Sequence, residues 1–209
     1  MNNLFVFGCS FTEGNGCHLN EPYAKKYKKS EDDLIWPEYV AKKLNLNLHN
    51  FGRGSTGNDR ILDSIIDNYD KIDEGDIVII QKTFSHRFDV CNTNQYGSSH
   101  WQTITPTSLN SLEKMGYYDD DILSLTKTLS MIDSDLNNQR WIRRFNFFKR
   151  ILISDKKVKE CIFWDLESGY HTKWERIVQV DPDINDGHWS YEGHRTFANE
   201  ILEKLKNYE

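Results

Sequence analysis

Apolar positions along the chain fall into short unbroken runs, and longer stretches of helical spacing separate them. Leu4-Phe5-Val6-Phe7 is one such run, ended by Gly8, and it reads as a strand buried on both faces. "DIVIIQ" (residues 76–81) and "CIFWDL" (161–166) have the same character, as expected for the middle of a parallel sheet, and residues 46–51 form a shorter version. A helix is predicted from Trp36-Pro37, because proline is tolerated in a first turn, with Val40 and Leu44 on its inner face. Ile61, Leu62, Ile65, Ile66 and Tyr69 recur at helical spacing after "GRGSTGN". A second helical face carries Trp141, Ile142, Phe145, Phe148, Ile151 and Leu152. Phe197, Ala198, Ile201, Leu202 and Leu205 make the clearest stripe, and a further helical pattern runs about 122–136.

Two segments break this rhythm. Residues 15–35 are polar and irregular. Residues 88–120 are the least regular, rich in Asn, Ser and Thr, and contain Trp101, Tyr117 and Tyr118. They read as an irregular insertion in a single domain spanning residues 1–209. Strands alternating with helices predict an α/β layer fold with a mainly parallel sheet. In such a sheet every strand ends at the same edge, and ligands bind in the crevice outside those ends. "GCSFTEG", "FGRGSTGNDR" and "KTFSHRFD" each follow a predicted strand, so topology gathers them there, Ser10 among them.

Composition narrows the function classes. The chain has 209 residues, 38% hydrophobic and 28% charged, which suits a soluble globular protein with a sizeable core. A net charge of -6 argues against a nucleic-acid partner. The basic run "AKKYKK" is followed at once by "SEDD", so it reads as a solvated mixed-charge loop. Met1-Asn2-Asn3 precede the first apolar run with no basic leader, and that run is too short for a membrane span; a cytoplasmic protein with no membrane partner is expected. Cys9, Cys17, Cys91 and Cys161 show no CxxC spacing, so zinc is not expected and Cys9 reads as a small buried residue.

A serine nucleophile needs a base within reach and donors for the oxyanion. The candidate base is His188 in "NDGHWSYEGHRTFAN" (185–199), with Asp186 placed to accept from its ring and Asp183 and Asn185 as rivals. His194 reads as structural, capping or packing under the loop. Asp186, His188, His194 and His171 match no metal-binding motif. Arg60 and Arg87 are candidate binders of an anionic substrate group, against the alternative of salt bridges with Asp59 or Asp89. Trp141 and Trp164 read as core. Trp101 and Trp189 are candidates to stack on a sugar ring or line an acyl pocket, core packing being the commoner use.

Together these residues resemble the SGNH/GDSL hydrolase family. "FGCSFTEG" is similar to its first block, G-D-S-x-x-x-G, with the serine at Ser10, the trailing glycine at Gly14 and Cys9 in place of the usual aspartate. "HNFGRGSTGNDRI" resembles the second block, which places the oxyanion position at Ser55, where the family usually has glycine, with Gly54 as rival. "DGHW" resembles the Asp-x-His-Trp form of the last block, found in relatives that transfer or remove acetyl groups on polysaccharides. The third block departs: "QKTFSHRFD" has no asparagine, leaving Thr83 as the candidate side-chain donor and Ser85 as a second. This pattern, with "GSTGNDRI", resembles small phage-encoded and bacterial members.

The resemblance implies a three-layer α/β/α sandwich with a mainly parallel, flavodoxin-like central sheet. It implies a serine ester hydrolase with Ser10 as nucleophile, His188 as base and Asp186 orienting it. The N–H groups of Ser10 and Ser55, helped by Thr83, would hold the oxyanion, and no metal or organic cofactor is required. The expected partner is a small-molecule or glycan ester carrying a small acyl group such as acetyl. Two alternatives stand beside it: acyl transfer to a sugar hydroxyl, and a binding or structural module with little catalysis, which the missing asparagine and the shifted aspartate favour.

Overall fold

The computed structural model describes residues 2–93, 99–105, 128, 134–168 and 173–206. Strand β1 (Asn3–Gly8) lies between β2 (Asn47–Gly52) and β3 (Ile77–Lys82), and β3 pairs outward with β6 (Glu160–Asp165). All three pairings are parallel, in register Phe7↔Phe51, Phe7↔Ile80 and Ile80↔Phe163. The order β2-β1-β3-β6 is that of flavodoxin-like doubly wound sheets, and it reverses direction between β1 and β3.

Both faces of the sheet are covered, which is why its strands read as apolar runs without alternation. Leu4 and Val6 of β1 point to a layer made by α3 (Trp36–Leu44) and α7 (Tyr191–Lys206), through Trp36, Val40, Phe197 and Ile201. Phe5 and Phe7 point the other way, to α4 (Asn58–Asp67) and α5 (Ser134–Asp155), through Ile61, Ile65, Trp141 and Phe145. The result is a three-layer α/β/α fold. Two short helices, α1 (Ser10–Glu13) and α2 (Pro22–Tyr27), follow β1, and α6 (Ile177–Val180) precedes α7. Among these residues no helix is long and apolar enough to cross a membrane.

The structure corrects the sequence reading in three places. Residues 15–35 are not wholly irregular: Pro22 opens α2, its missing N–H costing nothing in a first turn. Tyr69 is outside α4, because the chain tightens into a 3-10 turn at Tyr69–Lys71, yet its ring still packs on the same core. The described part of the segment 88–120 is an antiparallel hairpin, β4 (Phe88–Thr93) and β5 (Ser99–Ile104), with Phe88 opposite Ile104 and Cys91 opposite Trp101. Its Asn- and Thr-rich strands form by pairing with each other, a long-range cause that local composition does not carry. The pattern about 122–136 lies mostly outside the described residues, as do Tyr117, Tyr118 and His171.

Strand β3 also runs one residue further than the apolar pattern, and that residue is Lys82, wholly buried. Its ammonium donates to Asp165 at 2.8 Å, to Glu167 at 2.7 Å and to the Thr83 carbonyl at 3.2 Å. Glu167 also accepts the Ser85 hydroxyl, and the Ser85 N–H at 3.2 Å. Burial alone would raise the Glu167 pKa; Lys82 and Ser85 outweigh it and lower it. Removing one member of such a group leaves charge without its counterion. Lys82→Met is therefore expected to cost about 3 kcal/mol, the low end for a broken buried pair because both carboxylates keep some contact with water. A drop in the urea midpoint with unchanged slope checks this.

Candidate active site

The end of β1 is built as a tight turn. Cys9 is extended, Ser10 opens α1, and Gly14 closes it in the left-handed region at φ 87°, which accounts for the glycine four residues after the serine. A buried amide from the end of β3 holds this turn. Gln81 Oε1 accepts the Cys9 N–H at 3.1 Å and the Thr12 hydroxyl, and Gln81 Nε2 donates to Cys9 Sγ at 2.9 Å. The Ser10 side chain is buried, its Oγ 4.0 Å from the Cys9 thiol. Its backbone N–H has no hydrogen-bond partner among the described residues.

The loop carrying His188 comes to this turn from the other end of the chain. Ile177 and Val178, the first residues of α6, donate their backbone N–H groups to the carbonyls of His188 and Asp186, both at 2.9 Å. Helix-start donors that have no partner inside the helix thus pin the loop. Asp186 Oδ1 accepts the His188 backbone N–H at 2.8 Å and meets His188 Nδ1 at 2.6 Å. The His188 contact holds the Asp186 carboxyl below the usual carboxylate range, against the opposing pull of burial. The ring nitrogen thus meets Asp186 and neither of its rivals Asp183 and Asn185; the Asp183 N–H donates to Asp181 at 3.2 Å. Gly16, at φ 84°, lets the chain pass close beneath: a Cβ there would come within 2.8 Å of Asp186 Oδ2. The His188 ring lies 5.0 Å from that of Phe11, the residue after Ser10. Serine and imidazole therefore share one corner of the sheet edge, with no hydrogen bond between Ser10 Oγ and His188 in this conformation.

The loop after β2 supplies the next wall. Asn50 ties it down, accepting from the Gly52 N–H at 2.9 Å and donating to the Thr12 carbonyl at 3.0 Å. Gly54 is corrected as an oxyanion donor, because its N–H is spent on the Glu13 carboxylate. Ser55 stands in the left-handed region at φ 54°, where a side chain is strained, and its N–H has no partner among the described residues. Thr83, beyond β3, is wholly buried. Asn58 Oδ1 accepts its N–H at 2.9 Å, and its hydroxyl oxygen accepts from Arg87 Nη1 at 3.3 Å, leaving the hydroxyl proton free to donate. Ser85 is excluded as the alternative, since its hydroxyl is committed to Glu167.

Two further expectations change, those for Trp189 and for the arginine salt bridges, while His194 is structural as read. Trp189 is fully buried among Phe11, Trp164, Trp174 and Phe197, so it anchors the His188 loop from below and cannot stack on a ligand. The side chain of Trp101 lies outside the described residues. Neither Arg60 nor Arg87 forms the salt bridge weighed for it. Asp89 instead caps α4, accepting the N–H groups of Gly57 at 2.8 Å and Arg60 at 3.0 Å and the Thr103 hydroxyl at 2.6 Å; Asp59 pairs with Arg144, at 3.9 Å. His194 is wholly buried, accepts the Trp36 N–H at 3.3 Å, and is held neutral, its pKa pushed down to about 3 first by burial and then by neighbouring histidines.

Sequence reasoning missed Gln81 and Asn58. Each had a signal: Gln81 is a lone amide ending an apolar strand, and Asn58 opens a helix one residue after a glycine. Among the described residues no group of three or more His, Cys, Asp or Glu side chains is arranged to hold a metal. A cavity of about 350 Å³ between the ends of α3 and α7, lined by Leu44, Leu202 and Leu205, lies at the opposite sheet edge, away from these groups.

Two outcomes follow from this geometry. Ser55→Gly removes left-handed strain and is expected to raise stability by about 1 kcal/mol, readable as a higher thermal midpoint. Asp186 stabilises the fold fully above the ordinary aspartate pKa, and that contribution is lost as the pH falls through its lowered folded-state pKa. Asp186→Asn should therefore be less stable than the parent at neutral pH, with the gap closing below about pH 4; urea unfolding across the acid range measures it.

No family model matches the chain, and no curated protein matches it. Among solved structures it is similar to a candidate lipolytic protein of the G-D-S-L family from Desulfitobacterium hafniense DCB-2, at 13% identity over 98% of this chain and 99% of that chain, with a TM-score of 0.39.

Proposed function

We propose that this protein is a serine ester hydrolase of the SGNH/GDSL type. The observation that carries the reading is the Asp186–His188 pair, 2.6 Å apart, set with its imidazole over Phe11 beside Ser10. In the reaction, Ser10 Oγ attacks the ester carbonyl carbon as its proton passes to His188 Nε2. Asp186 keeps the other ring nitrogen protonated and stabilises the imidazolium. The N–H groups of Ser10 and Ser55 and the Thr83 hydroxyl hold the oxyanion. Collapse breaks the carbon–oxygen bond, and the alcohol leaves with the proton from His188. Water then attacks the acyl-Ser10 ester, giving its proton to His188, and the acid departs as Ser10 regains its hydrogen. The substrate we favour carries a small acyl group, such as acetyl on a carbohydrate; acyl transfer differs only in that a sugar hydroxyl replaces water.

Besides the missing asparagine and the shifted aspartate, the binding-module reading has a structural observation in its favour: Ser10 Oγ faces Cys9 rather than His188. An assembled pair needs about 2.6–3.2 Å, with looser geometry common before substrate binds. A fluorophosphonate probe separates the two. Labelling that vanishes in Ser10→Ala supports the hydrolase, and folded parent protein that stays unlabelled supports the module. In the hydrolase, Asp186→Asn should lower turnover by about 10⁴, following the loss seen when a triad carboxylate becomes an amide.

A further inference from the structure

Resting on the hydrolase reading, we infer that the substrate carries an anionic oxygen group, a carboxylate or phosphate, held by Arg53 and Arg60 beside the Ser10 turn.

A cavity of about 210 Å³ starts at Gly8, two residues before Ser10, and passes Arg53, Thr56 and Arg60. Both arginines line it, and neither forms an ion pair among the described residues. Burial, and then the Arg53 charge, lower the Arg60 pKa, so the two cations feel each other. Arginine stays protonated through such shifts, and the repulsion is relieved by an anion between them. Asp89, the one carboxylate that offsets Arg60, is already occupied by two backbone N–H groups and the Thr103 hydroxyl.

The cavity is polarised. Asp63 and Asp67 line it further along α4, roughly 4.5 Å and 10 Å beyond Arg60 by helical rise, and Asp63 is raised by burial and then by Asp67. An anion entering it therefore settles at the arginine end, next to Ser55 and the nucleophile turn. Arg87 extends the positive rim: it lies over Phe84 at 5.2 Å and donates to the Thr56 carbonyl at 3.4 Å, and it too has no carboxylate partner among the described residues. The loop that offers the Ser55 N–H thus also carries Arg53, so acyl carbonyl and anionic group would be read by one segment. Paired N–H donors of a guanidinium suit planar carboxylate and phosphate alike.

Titration of the Ser10→Ala protein with inorganic phosphate and, separately, with sodium benzoate tests the site without requiring turnover. Saturable binding of either anion, weakened roughly ten- to hundredfold in Arg53→Gln/Arg60→Gln, is the expected result; which anion binds tells phosphate from carboxylate. No binding, or equal binding by the double variant, overturns the inference. Turnover of phenyl acetate and 4-acetoxybenzoate by the parent forms the second arm, with kcat/KM expected to favour the anionic ester and the preference to shrink in Arg60→Gln. Phosphate or benzoate binding with neither ester hydrolysed keeps the anion site and removes the hydrolase. Hydrolysis of phenyl acetate with no anion binding does the reverse.

Discussion

The architecture of the candidate site depends on one buried amide. When β1 ends, the chain must turn at once, and the Cys9 N–H is carried into an environment without water. A buried backbone donor left without an acceptor costs about 1–3 kcal/mol. Gln81, delivered from the neighbouring strand by the parallel register, supplies that acceptor and binds the Thr12 hydroxyl and Cys9 thiol besides. The packing leaves no slack, since a Cβ on Gly8 would collide with both the Gln81 and Thr12 oxygens. Sheet order therefore sets the direction in which Ser10 leaves the sheet. β1 and β3 must be adjacent for the clamp to exist, and their adjacency is also where the sheet order reverses and the crevice opens.

Neighbouring polar links extend the same logic. Asn50 joins β2 to α1, Asn58 grips the backbone at the end of β3, and Asp89 caps α4 from the hairpin. Each satisfies backbone groups that would otherwise be orphaned where a strand or helix ends. The four segments that approach the candidate nucleophile are consequently tied to one another by side chain-to-backbone bonds, while packing ties the layers below. Trp189 connects the two systems: its ring belongs to the core, and its main chain carries His188.

The layers were legible in the sequence because burial on two faces writes itself as unbroken apolar runs, and amphipathic helices write a stripe. The strands at 4–7, 76–81 and 161–166 and the helix with Phe197 and Ile201 needed nothing more. The ends of the elements were less legible. Lys82 sits in β3 because Asp165 and Glu167 come to it from 83 and 85 residues away, and no local pattern announces such partners. The hairpin was hidden for the same reason, each strand depending on the other. At the candidate site, the family resemblance singled out Ser10, Asp186 and His188, and the structure adds which carboxylate faces the ring. Gly54 and Trp189 were left with two readings each because spacing places a residue on a loop without saying whether its N–H is taken or its ring is buried.

The arginines show how much such accounting decides. On the sequence, Arg60 and Arg87 had Asp59 and Asp89 at hand, and neutral pairs were the simpler outcome. The fold instead spends Asp89 on the start of α4, where four backbone N–H groups need acceptors and a carboxylate serves them better than it serves an exposed guanidinium. Among the described residues, that choice leaves Arg60 and Arg87 without a carboxylate partner on the segments that also present the Ser55 N–H and the Thr83 hydroxyl. The electrostatic character of the crevice is thus a by-product of how the hairpin satisfies a helix end. It selects for a ligand that brings its own negative charge, whatever chemistry follows at Ser10.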